Sequence, residues 1–392
     1  VKITAYDIKT VGDKVVISDS MGVTIAGNDP RLLLQCFIRD HQPTLNIVWD
    51  LDASVAPLLK LLGEDRCSKL YRTGKCYLSP FSLFYITGKV FSVKPVFKRP
   101  RSSLYDIRPY YPESYYSPSL AHLVGKGEEL LEALRLMNLY PRKLTSPIAI
   151  WEQCVMNHLN LPTAWNMPRE AAEFAWHCGG KLWTEAYKVG YFEEAYDYDI
   201  EASFPSIAGQ LVDIRHCKWV ESNNYIKEAL YGYCRCIVTI FDRVKVSPII
   251  YTDVEGNLST PTGTWQTYLT KGEIDFIEKY KIGKVRILEG WWATARREIR
   301  PLAIVMNRLL AYKFHENELV RYLAKRMSVG VYGKFGEERG DRFGRHFNSC
   351  WFAEISTQVR LEVAEFIYKN KLEDNLIHIG VDGVLLDKEI KL

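Results

Sequence analysis

Two aspartates close apolar, strand-like stretches on either side of a long helical segment, and this order constrains the fold more than any other feature of the chain. Asp199 follows Tyr196-Asp197-Tyr198 and leads into Ile200-Glu201-Ala202-Ser203-Phe204-Pro205-Ser206. Asp382 follows Ile377-His378-Ile379-Gly380-Val381 and leads into Gly383-Val384-Leu385-Leu386. Between them, Arg297 to Val331 has few breakers and predicts two antiparallel helices turning near His315, the second carrying Lys325 toward Tyr332-Gly333-Lys334-Phe335-Gly336. Either aspartate alone reads equally well as a strand-end residue capping a turn. Together, in the order carboxylate, basic helix, carboxylate, they match what two-metal phosphoryl transfer needs: acidic side chains holding divalent ions about 3.5–4 Å apart and a lysine meeting phosphate.

Composition narrows the class without choosing it. With 392 residues the chain is long enough for two or three domains with their own cores. A net charge of +4 is compatible with a phosphate-binding cleft but does not demand one. None of the nine cysteines stands in C-x-x-C spacing, which predicts a reduced, intracellular protein without a zinc site. No apolar run reaches the roughly 18 residues of a membrane span, and no secretory signal is visible. The chain begins at Val1 without Met and stops at Leu392 shortly after the second aspartate, and so reads as a fragment or excised region.

Along the chain, Val15 to Ser18 and Leu45 to Trp49 predict strands, Val55 to Leu62 a helix, and Leu83 to Phe97 further β structure. Lys98 to Ser117, rich in Pro, Tyr and Ser, predicts a long loop or boundary. Helices are expected over Glu128 to Leu139, Pro147 to Leu159, Pro168 to His177, Lys271 to Tyr280 and Ala353 to Asn370. Strands are expected over Tyr196 to Ile200, Tyr233 to Phe241 and Val285 to Trp292.

These segments resemble family B DNA polymerases, especially the compact viral, plasmid and protein-primed branch. The family's first palm motif, D-x-x-S-L-Y-P-S, stands here as Asp199-Ile-Glu-Ala-Ser-Phe204-Pro-Ser206. Its fingers motif, K-x-x-x-N-S-x-Y-G, is matched by Lys325 and Tyr332-Gly333, and the following Lys334-Phe335-Gly336 is typical of the protein-primed branch. Its third motif, D-T-D-S, stands as Gly380-Val381-Asp382-Gly383. Upstream, Gly179-Gly180-Lys181 resembles the Y-x-G-G segment that links the exonuclease and polymerase halves.

The resemblance implies an α/β (α+β) fold: an RNase H-like exonuclease domain, then an antiparallel palm sheet with helices, and helical fingers. The implied boundaries are an exonuclease-like domain over 1–120, a helical connection over 121–195, palm over 196–296, fingers over 297–336 and palm again over 337–392. The family's thumb follows the third motif, and the chain has no room for one. Asp199 and Asp382, with the carbonyl of Ile200, are implied ligands of two Mg²⁺ ions, with Mn²⁺ as an alternative. Lys325 is the implied triphosphate contact, with Arg308 and Lys313 as unranked candidates for a second. Tyr332 and Gly333 would floor the nascent base pair, and Phe204 would exclude a 2′-hydroxyl. Gly179, Gly180, Lys181 and Lys334 are the implied DNA contacts. Primer–template DNA and dNTPs are the implied partners; a terminal protein primer is a further candidate that no residue identifies.

Departures from the family's motifs shape the remaining expectations. Gly380 replaces a carboxylate peripheral to the metals, and Val329-Gly330 replaces Asn-Ser, putting normal efficiency or fidelity in doubt. The exonuclease's D-x-E stands as Asp7-Ile8-Lys9, and its second motif maps to Asp50, with Asp52 competing. Its third finds only Gly125-Lys-Gly-Glu-Glu129. An ammonium at Lys9 repels a divalent ion, so the exonuclease fold is expected to persist with its activity lost or very weak. A polymerase-like module that binds DNA without synthesis is the second reading, and a metal nuclease working from the N-terminal domain the third.

Overall fold

Ile3 and Ala5 on one face of β1 (Lys2–Val11), and Tyr6 and Ile8 on the other, are buried, so both faces of the strand are covered. β1 turns at Gly12, φ +60°, into β2 (Lys14–Asp19), and β3 (Thr24–Gly27) completes an antiparallel meander. This is a computed structural model, and it describes residues 2–35, 44–96, 101–111, 119–340 and 342–390. The chain divides into two units, Val1–His158 with Tyr312–Met327, and Leu159–Ala311 with Ser328–Leu392.

In the first unit α1 (Pro30–Gln35) precedes β4 (Thr44–Val48), which pairs parallel to β1. Asp50 then accepts the Ala53 amide at 3.0 Å and caps α2 (Leu51–Lys60). Gly74, left-handed, ends α3 (Glu64–Thr73). β5 (Lys75–Leu78), β6 (Phe81–Ile86) and β7 (Val90–Pro95) follow, and β8 (Ser102–Asp106) inserts between β7 and β4, parallel to β4. The sheet order is β3-β2-β1-β4-β8-β7-β6-β5. An antiparallel meander extended by two strands parallel to β1 is the expected RNase H-like arrangement. β8 occupies the stretch expected as a loop: two hydrogen-bonded neighbours outweigh the weak strand preference of Ser102-Ser103. After β8 the expected loop holds a short 3-10 turn, Arg108–Tyr110, while its residues 98–100 and 112–117 lie outside the described residues. α4 (Leu120–Leu136) closes on the sheet through Gly127, where a Cβ would fall 2.8 Å from Ile47 Cδ1, and α5 (Pro147–Cys154) follows.

The second unit holds α6 (Arg169–Cys178), β9 (Thr184–Ala186), β10 (Tyr196–Asp199), α7 (Ser203–Gln210), β11 (Cys217–Glu221) and β12 (Tyr231–Ile240). After the small hairpin β13 (Tyr251–Thr252) and β14 (Leu258–Ser259) come β15 (Gly263–Thr270), α8 (Lys271–Tyr280), β16 (Gly283–Ala295) and α9 (Ala303–Tyr312). α10 (Glu318–Phe335) crosses from the first unit into the second. A hairpin of β17 (Glu338–Arg339) and β18 (Arg342–Phe343) precedes α11 (Ser349–Asn370), β19 (Leu376–Gly380) and β20 (Gly383–Leu386). Two antiparallel sheets result, β10-β20-β19-β9 and β11-β16-β12-β15. One core joins both: Ile379 and Val384 of the first, Cys234 and Val238 of the second, and Val363 and Ile367 of α11. No described helix is long and apolar enough to cross a membrane.

α11 carries polar groups into this core. Arg360 and Glu273 pair at 2.6 Å with side chains 1% exposed, and the Arg360 guanidinium also donates to the Lys181 carbonyl. Glu273 closes the capping box of α8 with its other oxygen, accepting the Thr270 amide at 2.8 Å. Nearby, Glu354 accepts from the Tyr233 hydroxyl at 2.9 Å. Burial pushes its carboxyl from the ordinary 4.5 to about 7, overriding the hydrogen bonds from Tyr233 and Gln358. A raised carboxyl means that the folded state binds the extra proton. The stability from this group is therefore full below about pH 4.5 and is lost as pH rises through about 7. Denaturation of the wild type beside Glu354→Gln across pH 4 to 8 should show the variant losing that slope; parallel curves would contradict it.

Candidate active site

β10 and β20 run antiparallel with Asp199 opposite Gly383, so the first aspartate lies beside the hairpin that carries the second. That hairpin pairs Gly380 with Gly383 and leaves Val381 and Asp382 in its turn. The Ile200 amide donates to the Asp382 carbonyl at 2.9 Å and ties the two segments together. Gly383 permits the approach: a Cβ there would fall 3.0 Å from the Tyr198 carbonyl and 3.3 Å from Asp199 Oδ1. Asp199 is exposed and Asp382 half-buried. Both border a cavity of about 230 Å³ completed by Tyr198, Ile200, Val363, Phe366 and Val384.

Backbone strain marks both carboxylate turns. Val381 sits at φ +61°, a conformation a β-branched residue seldom adopts, and its amide donates to the Trp183 carbonyl at 2.7 Å. Ala202, at φ +57°, turns the chain from Asp199 into α7. The left-handed position lets α7 start at Ser203, with only three residues between it and the end of the strand.

Phe204, on the first turn of α7, is buried with its ring 5.2 Å from that of Tyr332. Tyr332 stacks on Phe352 at 4.8 Å, and Phe352 on Trp176 at 5.6 Å. Burial pushes the Tyr332 phenol up to about 12. Phe352 explains the paired glycines: a Cβ on Gly179 would stand 2.4 Å from its ring, and one on Gly336 also 2.4 Å. Gly180, at φ +73°, closes the same collar. Gly179→Ala is therefore expected to destabilise by about 1–3 kcal/mol through overpacking. Chemical denaturation checks it, and an unchanged midpoint would contradict the collar. Gly333 is exposed, with open space where a Cβ would stand.

The basic candidates divide. Lys181 is buried and its ammonium donates to the Tyr268 carbonyl at 3.3 Å, so its charge serves the interior of the second unit instead of an open DNA surface. Lys334 is likewise buried, 3.3 Å from the Glu337 carboxylate. Arg308 is exposed on α9 in the second unit. Lys313, half-buried, and Lys325, exposed on α10, belong to the first unit.

In the first unit the exonuclease-like positions are engaged by protein groups. Lys9 Nζ lies 3.1 Å from Asp7 Oδ2. Asp50 pairs with Arg108 at 2.7 Å besides capping α2. Asp52 accepts from the Tyr85 hydroxyl at 2.5 Å and the Gly88 amide at 2.7 Å. Lys126 pairs with Glu129 at 3.1 Å. The sequence reading missed Asp106, which ends β8, accepts the Leu51 amide at 3.1 Å, and is raised to about 6 by burial. Only the strand at Ser102–Asp106 could have flagged it.

Among the described residues, no three His, Cys, Asp or Glu side chains gather as metal ligands. A metal site at the aspartates therefore rests on a pair of carboxylates. That pair suits hard cations: two oxygen donors on neighbouring segments, with the Asp199 side chain making no hydrogen bond or ion pair to another described residue.

No family model matches the chain, and no curated protein does. Solved structures do. The chain is similar to Phi29 DNA polymerase in an orthorhombic crystal form, with TM-score 0.66 and 10% identity over 100% of this chain and 81% of that one. It is similar to the same polymerase complexed with primer-template DNA and incoming nucleotide substrates, with TM-score 0.64 and 11% identity over 99% and 80% of the two chains. The complex with single-stranded DNA gives TM-score 0.62 and 11% identity over 100% and 81%. At such identity the likeness speaks for architecture alone: the chain folds as the Phi29 DNA polymerase structures do.

Proposed function

We propose that this chain is a DNA-directed DNA polymerase that adds deoxynucleotides to a primer 3′-hydroxyl, from the viral or mobile-element, protein-primed-like branch of family B. The observation that carries the reading is the meeting of Asp199 and Asp382 at the β10–β20 edge, within a fold shared with a DNA polymerase. Primer-template DNA and nucleotides, bound in a similar structure, are the partners it implies.

Asp199, Asp382 and the Ile200 carbonyl would hold two Mg²⁺ ions, or Mn²⁺. Bound there, the ions supply charge neutralisation at the transferred phosphoryl group and lower the pKa of the primer hydroxyl. The chain's own residues do the positioning. The strained Val381 turn and the Ile200 amide hold the two carboxylates in place before substrate arrives. Phe204, locked against Tyr332, offers a bulky ring without a hydroxyl for sugar discrimination. Lys325, with Arg308 or Lys313, would meet the triphosphate as a mobile point charge. The proofreading activity is read as lost, supported by the Lys9 ammonium 3.1 Å from Asp7.

Running-start extension of a labelled primer, with each dNTP supplied singly, tests the reading. Addition dictated by the template base supports it. Tight primer–template binding without addition would leave the DNA-binding module, which Gly380 in place of a carboxylate favours. With mixed dNTP and rNTP pools, Phe204→Ala should raise ribonucleotide incorporation by about tenfold or more; an unchanged ratio would remove the ring's role.

A further inference from the structure

We propose that the end of the β11–β16 ribbon is a second nucleic-acid contact, in which Lys218, Arg296 and Arg297 hold phosphates of a strand that runs to the Asp199–Asp382 site. The inference rests on the polymerase reading and extends it to a surface that none of the motifs marks.

β11 is the edge strand of its sheet and pairs with β16, Cys217 opposite Ala295 and Lys218 opposite Thr294. The ladder continues past β16, where the Arg296 amide donates to the His216 carbonyl at 2.9 Å. Residues opposite each other, and those two apart, share a face of such a ribbon. Arg296 therefore lies on the face of Lys218, about 7 Å along the strand direction. Arg297 follows directly, and every residue from Arg296 to Arg300 is exposed.

The segment is held down while its charges stay open. The Asp213 amide donates to the Ile299 carbonyl at 2.8 Å. Two neighbouring arginines are neutralised: Arg215 by Asp213, with Nε at 2.9 Å from Oδ1, and Arg300 by Glu298 at 2.9 Å. Lys218, Arg296 and Arg297 make no ion pair with any described residue. In a chain of net charge +4, three unpaired cations on one ribbon end are a marked concentration.

The arrangement of the charges decides the kind of ligand. α7 lies between Asp199 and the Ile214–His216 turn that leads into this ribbon. A mononucleotide presents its phosphates at one point, whereas a nucleic-acid strand repeats them at about 3.4 Å per nucleotide along its axis and so matches several cations spread along a ribbon end.

The test measures binding of a labelled primer–template by fluorescence anisotropy from 50 to 200 mM NaCl. It compares the wild type, the triple variant Lys218→Ala/Arg296→Ala/Arg297→Ala and, as a control, Arg300→Ala. The triple variant should flatten the slope of log K against log salt by about 2–3, near one per lost phosphate contact, while Arg300→Ala changes it little. Should the triple variant lose folded circular dichroism, Arg297→Glu alone, at an exposed position, must still weaken binding. An unchanged slope overturns the proposal. So does a loss of affinity for poly-glutamate with DNA affinity intact, which would assign the ribbon to an acidic protein. Wild-type primer extension in the same preparations separates the two failures. Extension with an unchanged slope sinks the ribbon contact alone, whereas a wild type that neither binds nor extends sinks the polymerase reading and the contact with it.

Discussion

Asp199→Asn and Asp382→Asn are each expected to lower templated nucleotide addition on the order of a thousandfold or more, with primer–template affinity nearly unchanged. Each substitution keeps the shape and removes the charge that a divalent ion needs. Several kcal/mol of transition-state stabilisation then disappear, at about 1.4 kcal/mol per factor of ten. Because the two carboxylates act as one unit, the double variant should be little worse than either single one. Stability should shift by less than about 1 kcal/mol, since Asp199 is exposed and Asp382 half-buried in a turn fixed by backbone hydrogen bonds. Single-turnover extension and thermal melting measured together check both halves. A variant that keeps activity would remove that aspartate from the reacting site, and a variant that unfolds would make it structural.

Arg360→Met should be the most destabilising single substitution considered, by about 3–5 kcal/mol. Its guanidinium is 1% exposed and serves both the Glu273 carboxylate and the Lys181 carbonyl. Removing it strands a buried charge and an unpaired carbonyl at the junction of α11, α8 and the glycine collar. Adding Glu273→Gln should recover part of the loss. That second change removes the orphaned charge, while an amide oxygen can still accept the Thr270 amide in the capping box. Urea denaturation of the wild type, both singles and the double closes this cycle. A loss below about 1 kcal/mol for Arg360→Met, or no recovery in the double, would mean that the pair is not what holds α8 to α11.

Some of this was legible in the residues because the signals are local. α8 begins and ends at Lys271 and Tyr280, where a helix is expected. The run before Asp199 becomes β10 and pairs with β20, the run after Asp382, so that their register sets the aspartates beside each other. What stayed hidden depends on partners distant in the chain. Phe352 lies far from Gly179 and Gly336, and nothing local says that one ring requires both glycines. Lys181 reads as a surface charge, and only the Tyr268 carbonyl waiting inside the second unit reveals it as an interior one. β8 takes its strand form from β4 and β7, and Asp106 becomes a raised, buried carboxyl only once that strand is in place.

The most direct test of the central claim is single-nucleotide incorporation followed by pyrophosphate release, with Mg²⁺ and the template-matched dNTP, for the wild type beside Asp199→Asn/Asp382→Asn. The account predicts stoichiometric release with primer elongation in the wild type and neither in the double variant, both proteins binding the primer–template alike. A wild type that binds DNA and releases no pyrophosphate would contradict it.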